Sequence, residues 1–223
     1  MKIDVKIEVL SPIHLSSGQA NVNVDVEVIH ESNGLPYFPG KRFKGLLYES
    51  ALEVTEMFER CGSDVNYSEL LEKLFHHKSD NENIQLIVSN FYLKPAKEYE
   101  IMSRAFSQLE KQFPELLTPT DVLNQFTSIR YQTKLQDGVA ANTSLHNMSV
   151  VNAGIFIYGT MELVGEDLES CLELLAMAAR NLTMAGMKRN RGFGRIRCTI
   201  KLEDGRTEET LIEAALNKEQ IAV

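Results

Sequence analysis

An α+β fold of ferredoxin-like (RRM-like) βαββαβ type is predicted by two features of the sequence. Segments with an apolar residue at every second position recur near both ends and in the middle of the chain, and segments with helical apolar spacing lie between them. In order they run strand, helix, strand, strand, helix, strand, the succession in which an antiparallel sheet is backed by two helices. A chain of 223 residues accommodates one such domain with insertions.

The first strand is residues 2–10, where Ile3, Val5, Ile7 and Val9 share one face and charged residues the other. "SPIHLSSGQANVNV" ends it with Pro, Ser and Gly, and "VDVEVI" resumes an extended pattern. After the turn formers of "ESNGLPYFPG", the apolar positions Phe43, Leu46, Leu47, Ala51, Val54, Met57 and Phe58 have helical spacing. "SELLEKLF" and "YEIMSRAFSQLEKQF" are further helices, with the strand "NIQLIVSNFYL" between them. Segments 59–84 and 94–124 are therefore insertions into the core, expected to form one helical subdomain at about 59–124.

"IRYQTKLQDGVAANTSLHNMSVV" is polar, has Gly138 near its middle and has strand-like ends, which predicts an extended hairpin projecting from the body at about 128–150. "AGIFIYGTMELV" is a strand. "EDLESCLELLAMAARNLTMAG" is a helix whose face is Leu168, Cys171, Leu172, Leu175, Ala178, Ala179 and Leu182, with Gly186 as its stop. "MKRNRGFG" is a loop, "RIRCTIKL" the last strand, and "EETLIEAALNKEQ" a short amphipathic helix.

Hydrophobic residues make up 43% of the chain, an ordinary globular value. No run is long enough to cross a bilayer, and the alternating N-terminus is unlike a secretory signal. The three cysteines, Cys61, Cys171 and Cys198, are far apart and odd in number, so no disulfide framework follows and a cytoplasmic setting is expected. The formal net charge of −8 argues against a nucleic-acid binder, but its distribution does not. Residues 188–201, "KRNRGFGRIRCTIK", hold six Lys or Arg and no acid, and residues 41–44 hold three more cations. A solvated face is the plain reading of either cluster. Yet Lys41, Arg42 and Lys44 sit at a helix start, where the macrodipole disfavours cations and favours a bound anion.

Several chemistries are excluded by spacing. "GLPYFPGKR" is not a P-loop: five residues separate Gly34 from Gly40, and Arg42 rather than Ser or Thr follows the Lys. "GMKRNRGFGR" is not a dinucleotide fingerprint, because it follows a helix and precedes a strand. Its glycines permit close backbone approach, and four cations among them suit a phosphate chain. His14 lies beside Ser16 and Ser17, but no hydrolytic triad assembles. His76, His77 and Cys61 lack a fourth ligand for zinc. Asp25 and Glu27 alternate on an extended segment and are read as pointing the same way, either as a solvated face or in a metal-assisted role.

Taken together, these blocks resemble the RAMP (repeat-associated mysterious protein) superfamily, most closely the Cas-seven/Csm-three-like backbone subunit of type III CRISPR effector complexes. "SPIHLSSG" is similar to the family's first-strand exit, with Ser16 and Ser17 in place of glycines. "GLPYFPGKRFKGLLYESA" resembles its most recognisable block, "IRYQTKLQDGVAANTSLHNMSVV" its thumb, and "GMKRNRGFGRI" its C-terminal glycine-rich loop. The resemblance implies a single RAMP/RRM-like domain over 1–223 that binds a CRISPR guide RNA and complementary target RNA and multimerises with copies of itself and other effector subunits, with no membrane partner. It implies RNA contacts at His14, Lys41, Arg42, Lys44, Arg130, Lys134, His146, Lys188, Arg189, Arg191, Gly192 and Gly194. It also implies target-RNA cleavage that depends on Mg²⁺ or another divalent cation, with Asp25, ten residues before Leu35, as catalytic and metal-binding residue. Two departures stand beside this: "NVNV" replaces the glycines usual before that Asp, and Glu27 is an alternative acid. The other readings are a non-catalytic RNA-binding subunit (an inactive backbone or a cap on the guide 5′ end) and a guide-processing endonuclease. The latter typically uses a His on an early helix, and none of the five His lies on the helix starting near Phe43.

Overall fold

The computed structural model describes residues 1–20, 24–75, 84–133, 135–136, 139–140 and 145–221. Lys134, Gly138, His76, His77 and most of the expected hairpin tip lie outside the described residues.

The core is a four-stranded antiparallel sheet of β1 (Lys2–Val9), β2 (Gln85–Val88), β7 (Phe156–Val164) and β8 (Ile196–Leu202), in the order β2-β7-β1-β8. β1 lies between β7 and β8, with Ile7 opposite both Ile157 and Cys198. This is the ferredoxin-like arrangement. It follows from alternation: Ile3, Val5, Ile7 and Val9 are buried on one face, and Lys2, Asp4 and Lys6 are exposed on the other.

Two helices cover the buried face. Helix α1 (Gly40–Cys61) turns Phe43, Leu47, Ala51 and Val54 inward. Phe43, in its first turn, meets Phe38 and Phe91 with ring centroids 6.0 and 4.4 Å away, which seats the helix start in the core. Burying each such ring contributes about 1.5–3 kcal/mol. Gly62, with φ 77°, ends α1 through its N–H to the Glu59 carbonyl. Helix α5 (Glu169–Asn181) is buried from Cys171 through Ala179, because it is enclosed by α1, by α2 (Tyr67–Phe75), by β8 and by α6 (Glu208–Ile221). Even Glu173 is buried, and Lys218 of α6 donates to it at 2.6 Å. α5 ends at Asn181, before Gly186, which instead lies in the following loop with φ 79°.

The two helical insertions do not make one subdomain. Tyr67, Leu71 and Leu74 of α2 join the main core. Helices α3 (Ala96–Gln112) and α4 (Pro119–Phe126) build a separate small cluster instead, in which Tyr99, Met102 and Phe106 cover Leu35, Leu93 and Val122. Strands β3 (Thr127–Gln132) and β6 (His146–Val151) form the expected hairpin. They pair from Thr127↔Val151 to Gln132↔His146, and the two short strands β4 (Leu135–Gln136) and β5 (Val139–Ala140) lie beyond them.

Candidate nucleic-acid interface

Four segments meet at the base of the β3–β6 hairpin, and His14 is where they join. The exit of β1 is zipped to β6, since Ile13 and Val151 exchange backbone hydrogen bonds of 3.0 and 2.8 Å. On its other side Met187 N–H donates to the His14 carbonyl and Gly194 N–H to the Pro12 carbonyl, which ties down the glycine-rich loop. His14 itself is 2% exposed, and its Nδ1–H donates to the Ser149 carbonyl at 2.7 Å. A carbonyl only accepts, so this bond sets the tautomer. Burial pulls the imidazole pKa below its ordinary value, the Ser149 bond opposes that, and the charges of Lys188 and Arg42 add to it. Burial and these two charges thus disfavour the protonated ring. An RNA-facing side chain was expected there; the aromatic ring is turned inward because Ser149 is its partner.

The cations divide. Lys41 is exposed. Arg42 reaches back from α1 to donate to the Ser16 carbonyl, which brings its guanidinium toward His14. Lys44 turns the other way and donates to the Leu86 carbonyl at 2.8 Å; burial lowers its pKa. The amide of Gly40 donates to Asn90 Oδ1 at 2.9 Å, so the first N–H of the helix is capped from within the protein. The unfavourable placement of three cations at a helix start is thus partly offset by two backbone carbonyls and a side-chain cap.

The stretch 188–201 is likewise not one patch. Arg197 on β8 pairs with Glu8 at 3.0 Å across the sheet, and Lys201 lies opposite Asp4, so these charges serve the open sheet face. Lys188, Arg189 and Arg191 stay in the loop. Lys188 holds the left-handed region at φ 59°, uncommon without glycine, and its Nζ donates to Gln132 Oε1 at 2.7 Å, on the hairpin. Arg189 lies 3.5 Å from Glu49 on α1. Gly192 and Gly194 also have positive φ, of 82° and 81°. A Cβ at Gly194 would lie 2.0 Å from the Ala185 carbonyl oxygen, whereas one at Gly192 would meet nothing within 4 Å. The close approach that demands Gly194 is therefore to the protein's own backbone. Arg130 is exposed on β3 opposite Met148.

Asp25 lies along the free side of β6. Val26 bridges Met148, Ser149 N–H donates to the Val26 carbonyl at 3.1 Å, and Val28 N–H donates to Ser149 Oγ at 2.7 Å. Asp25 N–H donates to Asn147 Oδ1 at 2.7 Å, and Asn147 N–H donates to Asp25 Oδ2 at 2.9 Å. His146 Nδ1 stands 3.7 Å from the same carboxylate oxygen, both side chains being more than half exposed. Glu27 does not share this point: its carboxylate lies 3.7 Å from His30 Nε2. The shared direction read from the sequence fails because residues 24–28 are not a regular strand. They bridge Ser16 on one side and Met148 on the other. Among the described residues no group of three His, Cys, Asp or Glu converges. Asp25 thus offers a cation one exposed carboxylate, whose Oδ2 already accepts from the Asn147 amide; Mg²⁺ held by a single carboxylate would take its other ligands from substrate phosphate oxygens and water. Asn147, Ser149 and Gln132, which orient Asp25, His14 and Lys188, were not singled out in the sequence; no local signal marks partners this distant along the chain.

The antiparallel sheet backed by helices defines a ferredoxin-like protein. The chain belongs to the RAMP superfamily, whose family model matches residues 6–197. It is similar in structure to a chain of the Type III-B Cmr-beta cryo-EM structure bound to cognate target RNA, at 11% identity and TM-score 0.61, and to one of the Type III-B Cmr-beta cryo-EM structure of the apo state, at 13% and 0.59. Each match covers 95% of this chain and 99% of the other, and at these identities the likeness is one of fold. No curated protein matches the sequence. No helix among the described residues is long and apolar enough to cross a membrane.

Proposed function

We propose that the chain is a backbone-type subunit of a type III-like CRISPR effector complex, acting in the cytoplasm. It holds a guide RNA, binds complementary target RNA and cleaves that target at Asp25. The observation that carries this reading is that one hairpin holds both kinds of group: Asp25 and His146 meet at the end of β6 away from its base, and Lys188 is bonded to Gln132 of the opposite strand, with the Lys188 and Arg42 charges acting on His14, which is bonded to Ser149. Family membership and the likeness in fold to Cmr-beta chains, one from a complex bound to cognate target RNA, support it.

Lys41, Arg42, Lys188, Arg189 and Arg191 contact phosphates, which positions RNA without reading its sequence. Base pairing with the guide reads the target. Copies of the chain line up along the guide beside other effector subunits. The Asp25 carboxylate supplies an oxygen ligand for Mg²⁺. When bound, that ion stabilises charge on the scissile phosphate or orients the attacking oxygen. A non-catalytic, RNA-binding role is the second reading, favoured by the engagement of Asp25 Oδ2 with the Asn147 amide and by the absence, among the described residues, of any group of three His, Cys, Asp or Glu that could hold a metal ion.

The test assembles the complex with a guide and a labelled complementary RNA. Wild type is expected to cut at evenly spaced positions with Mg²⁺ and not with EDTA. Asp25→Ala is expected to bind as tightly and cut about 100-fold slower or less, the scale of a lost metal contact. A wild type that binds both RNAs and never cuts supports the second reading. A chain that binds neither refutes both.

A further inference from the structure

We infer that Asn147 is a positioning residue that fixes Asp25 to the hairpin, so that divalent-cation binding and the point of cleavage are set by one rigid unit. The inference rests on the cleavage reading above and deepens it. Asp25 belongs to no regular strand, and a lone exposed carboxylate on such a segment samples several rotamers. Here two bonds close a ring between residues 122 apart in sequence: Asp25 N–H to Asn147 Oδ1 at 2.7 Å, and Asn147 N–H to Asp25 Oδ2 at 2.9 Å. The first fixes the backbone of Asp25. The second fixes its carboxylate and occupies one oxygen from a known direction, so the orientation of the other follows. Asn147 is in turn held in β6, opposite Tyr131 of β3. Movement of the hairpin relative to Asp25 must break the ring. The distance from hairpin to cutting group is therefore constant, and that constancy makes cuts fall at one nucleotide per repeat.

The two bonds separate by substitution. Asn147→Ala removes the acceptor of the Asp25 amide and leaves the backbone donor. Asn147→Asp keeps the acceptor and adds a second carboxylate beside the first. The assembled complex, with guide, is assayed in two ways: cut positions and rates on a complementary RNA at nucleotide resolution, and Mn²⁺ binding by electron paramagnetic resonance before target is added. The Asp25-dependent part of the latter is the signal lost in Asp25→Ala. Loss of one hydrogen bond between neutral groups corresponds to about fivefold. Asn147→Ala is expected to lower the rate at saturating target about fivefold with KM within about twofold, to weaken the Asp25-dependent Mn²⁺ site about fivefold, and to add cuts at neighbouring nucleotides. Asn147→Asp is expected to keep cuts in register and to tighten Mn²⁺.

Wild-type cut positions and Mn²⁺ affinity in Asn147→Ala overturn the inference while the cleavage reading stands. So does scattered cutting in Asn147→Asp. A wild type that never cuts, yet has an Asp25-dependent Mn²⁺ site weakened in Asn147→Ala, retains the positioning role and ends the cleavage reading. The absence of any Asp25-dependent Mn²⁺ signal overturns the inference.

Discussion

Replacing Gly194 by Ala tests whether the glycine-rich loop is shaped by the protein or by a ligand. Gly194 has φ 81°, and an added Cβ would sit 2.0 Å from the Ala185 carbonyl oxygen and 3.2 Å from its carbonyl carbon. Neither neighbour is a flexible side chain, so backbone must move. The left-handed conformation costs an L-residue about 1–2 kcal/mol. The shift also strains two backbone bonds, Gly194 N–H to the Pro12 carbonyl at 2.9 Å and Ala185 N–H to the Gly194 carbonyl at 2.8 Å. Each is worth about 1 kcal/mol net. Together they come to about 3–4 kcal/mol, or a fall of about 6–16 °C in Tm for a chain this long. Gly192→Ala meets nothing within 4 Å and bears only the conformational cost, about 1–2 kcal/mol. The assay is thermal unfolding of the RNA-free chain, with the two variants compared side by side. Equal shifts for both, or a wild-type Tm for Gly194→Ala with RNA binding lost, would refute the argument that Ala185 dictates the glycine.

The cations of α1 are expected to separate under salt. Lys41→Ala and Arg42→Ala should each lower the slope of log affinity against log salt by about 0.7, the value for one phosphate contact on a single strand, while Lys44→Ala, whose ammonium serves the Leu86 carbonyl, leaves it unchanged. Equal slopes for all three would make the patch a uniform solvated face. His14 carries a pH dependence. Burial holds its folded pKa below 6.5, so as pH falls below 6.5 the unfolded chain takes a proton that the native state refuses. The stability His14 contributes is therefore present above pH 6.5 and is lost as pH falls from there toward the depressed folded value. His14→Gln, which keeps a donor for Ser149, should flatten the denaturation midpoint between about pH 7 and pH 5 relative to wild type. Parallel curves would show that His14 is not buried neutral.

The acidic net charge of −8 coexists with a cationic face because the fold sorts charge that the sequence mixes. Register places Arg197 against Glu8, and α6 places Lys218 on buried Glu173. Of the remaining cations, Arg42 and Lys188 come from two segments far apart in the chain and are brought to the same histidine, His14, only where both meet the β1 exit. Lys188 shows how tightly that junction is held: a left-handed non-glycine residue persists because its surroundings over-determine it.

Local periodicity by itself determined the elements of this protein. The period-two pattern of Ile3 to Val9 and the helical spacing from Phe43 to Val54 each select one face, and a face that must leave water permits one partner layer. A local signal also marks the start of α4, where Thr118 and Asp121 form a capping box with Pro119 between them. The division of α2 from α3 was not legible, because their apolar faces look alike and only the space left beside α1 and α5 decides which enters the core. The inward turn of His14, the parting of Asp25 from Glu27 and the clasp of Asn147 were decided by tertiary structure. Each depends on a hydrogen bond between residues more than 100 apart or on an irregular segment held from both sides, and such bonds have no period for a sequence to display.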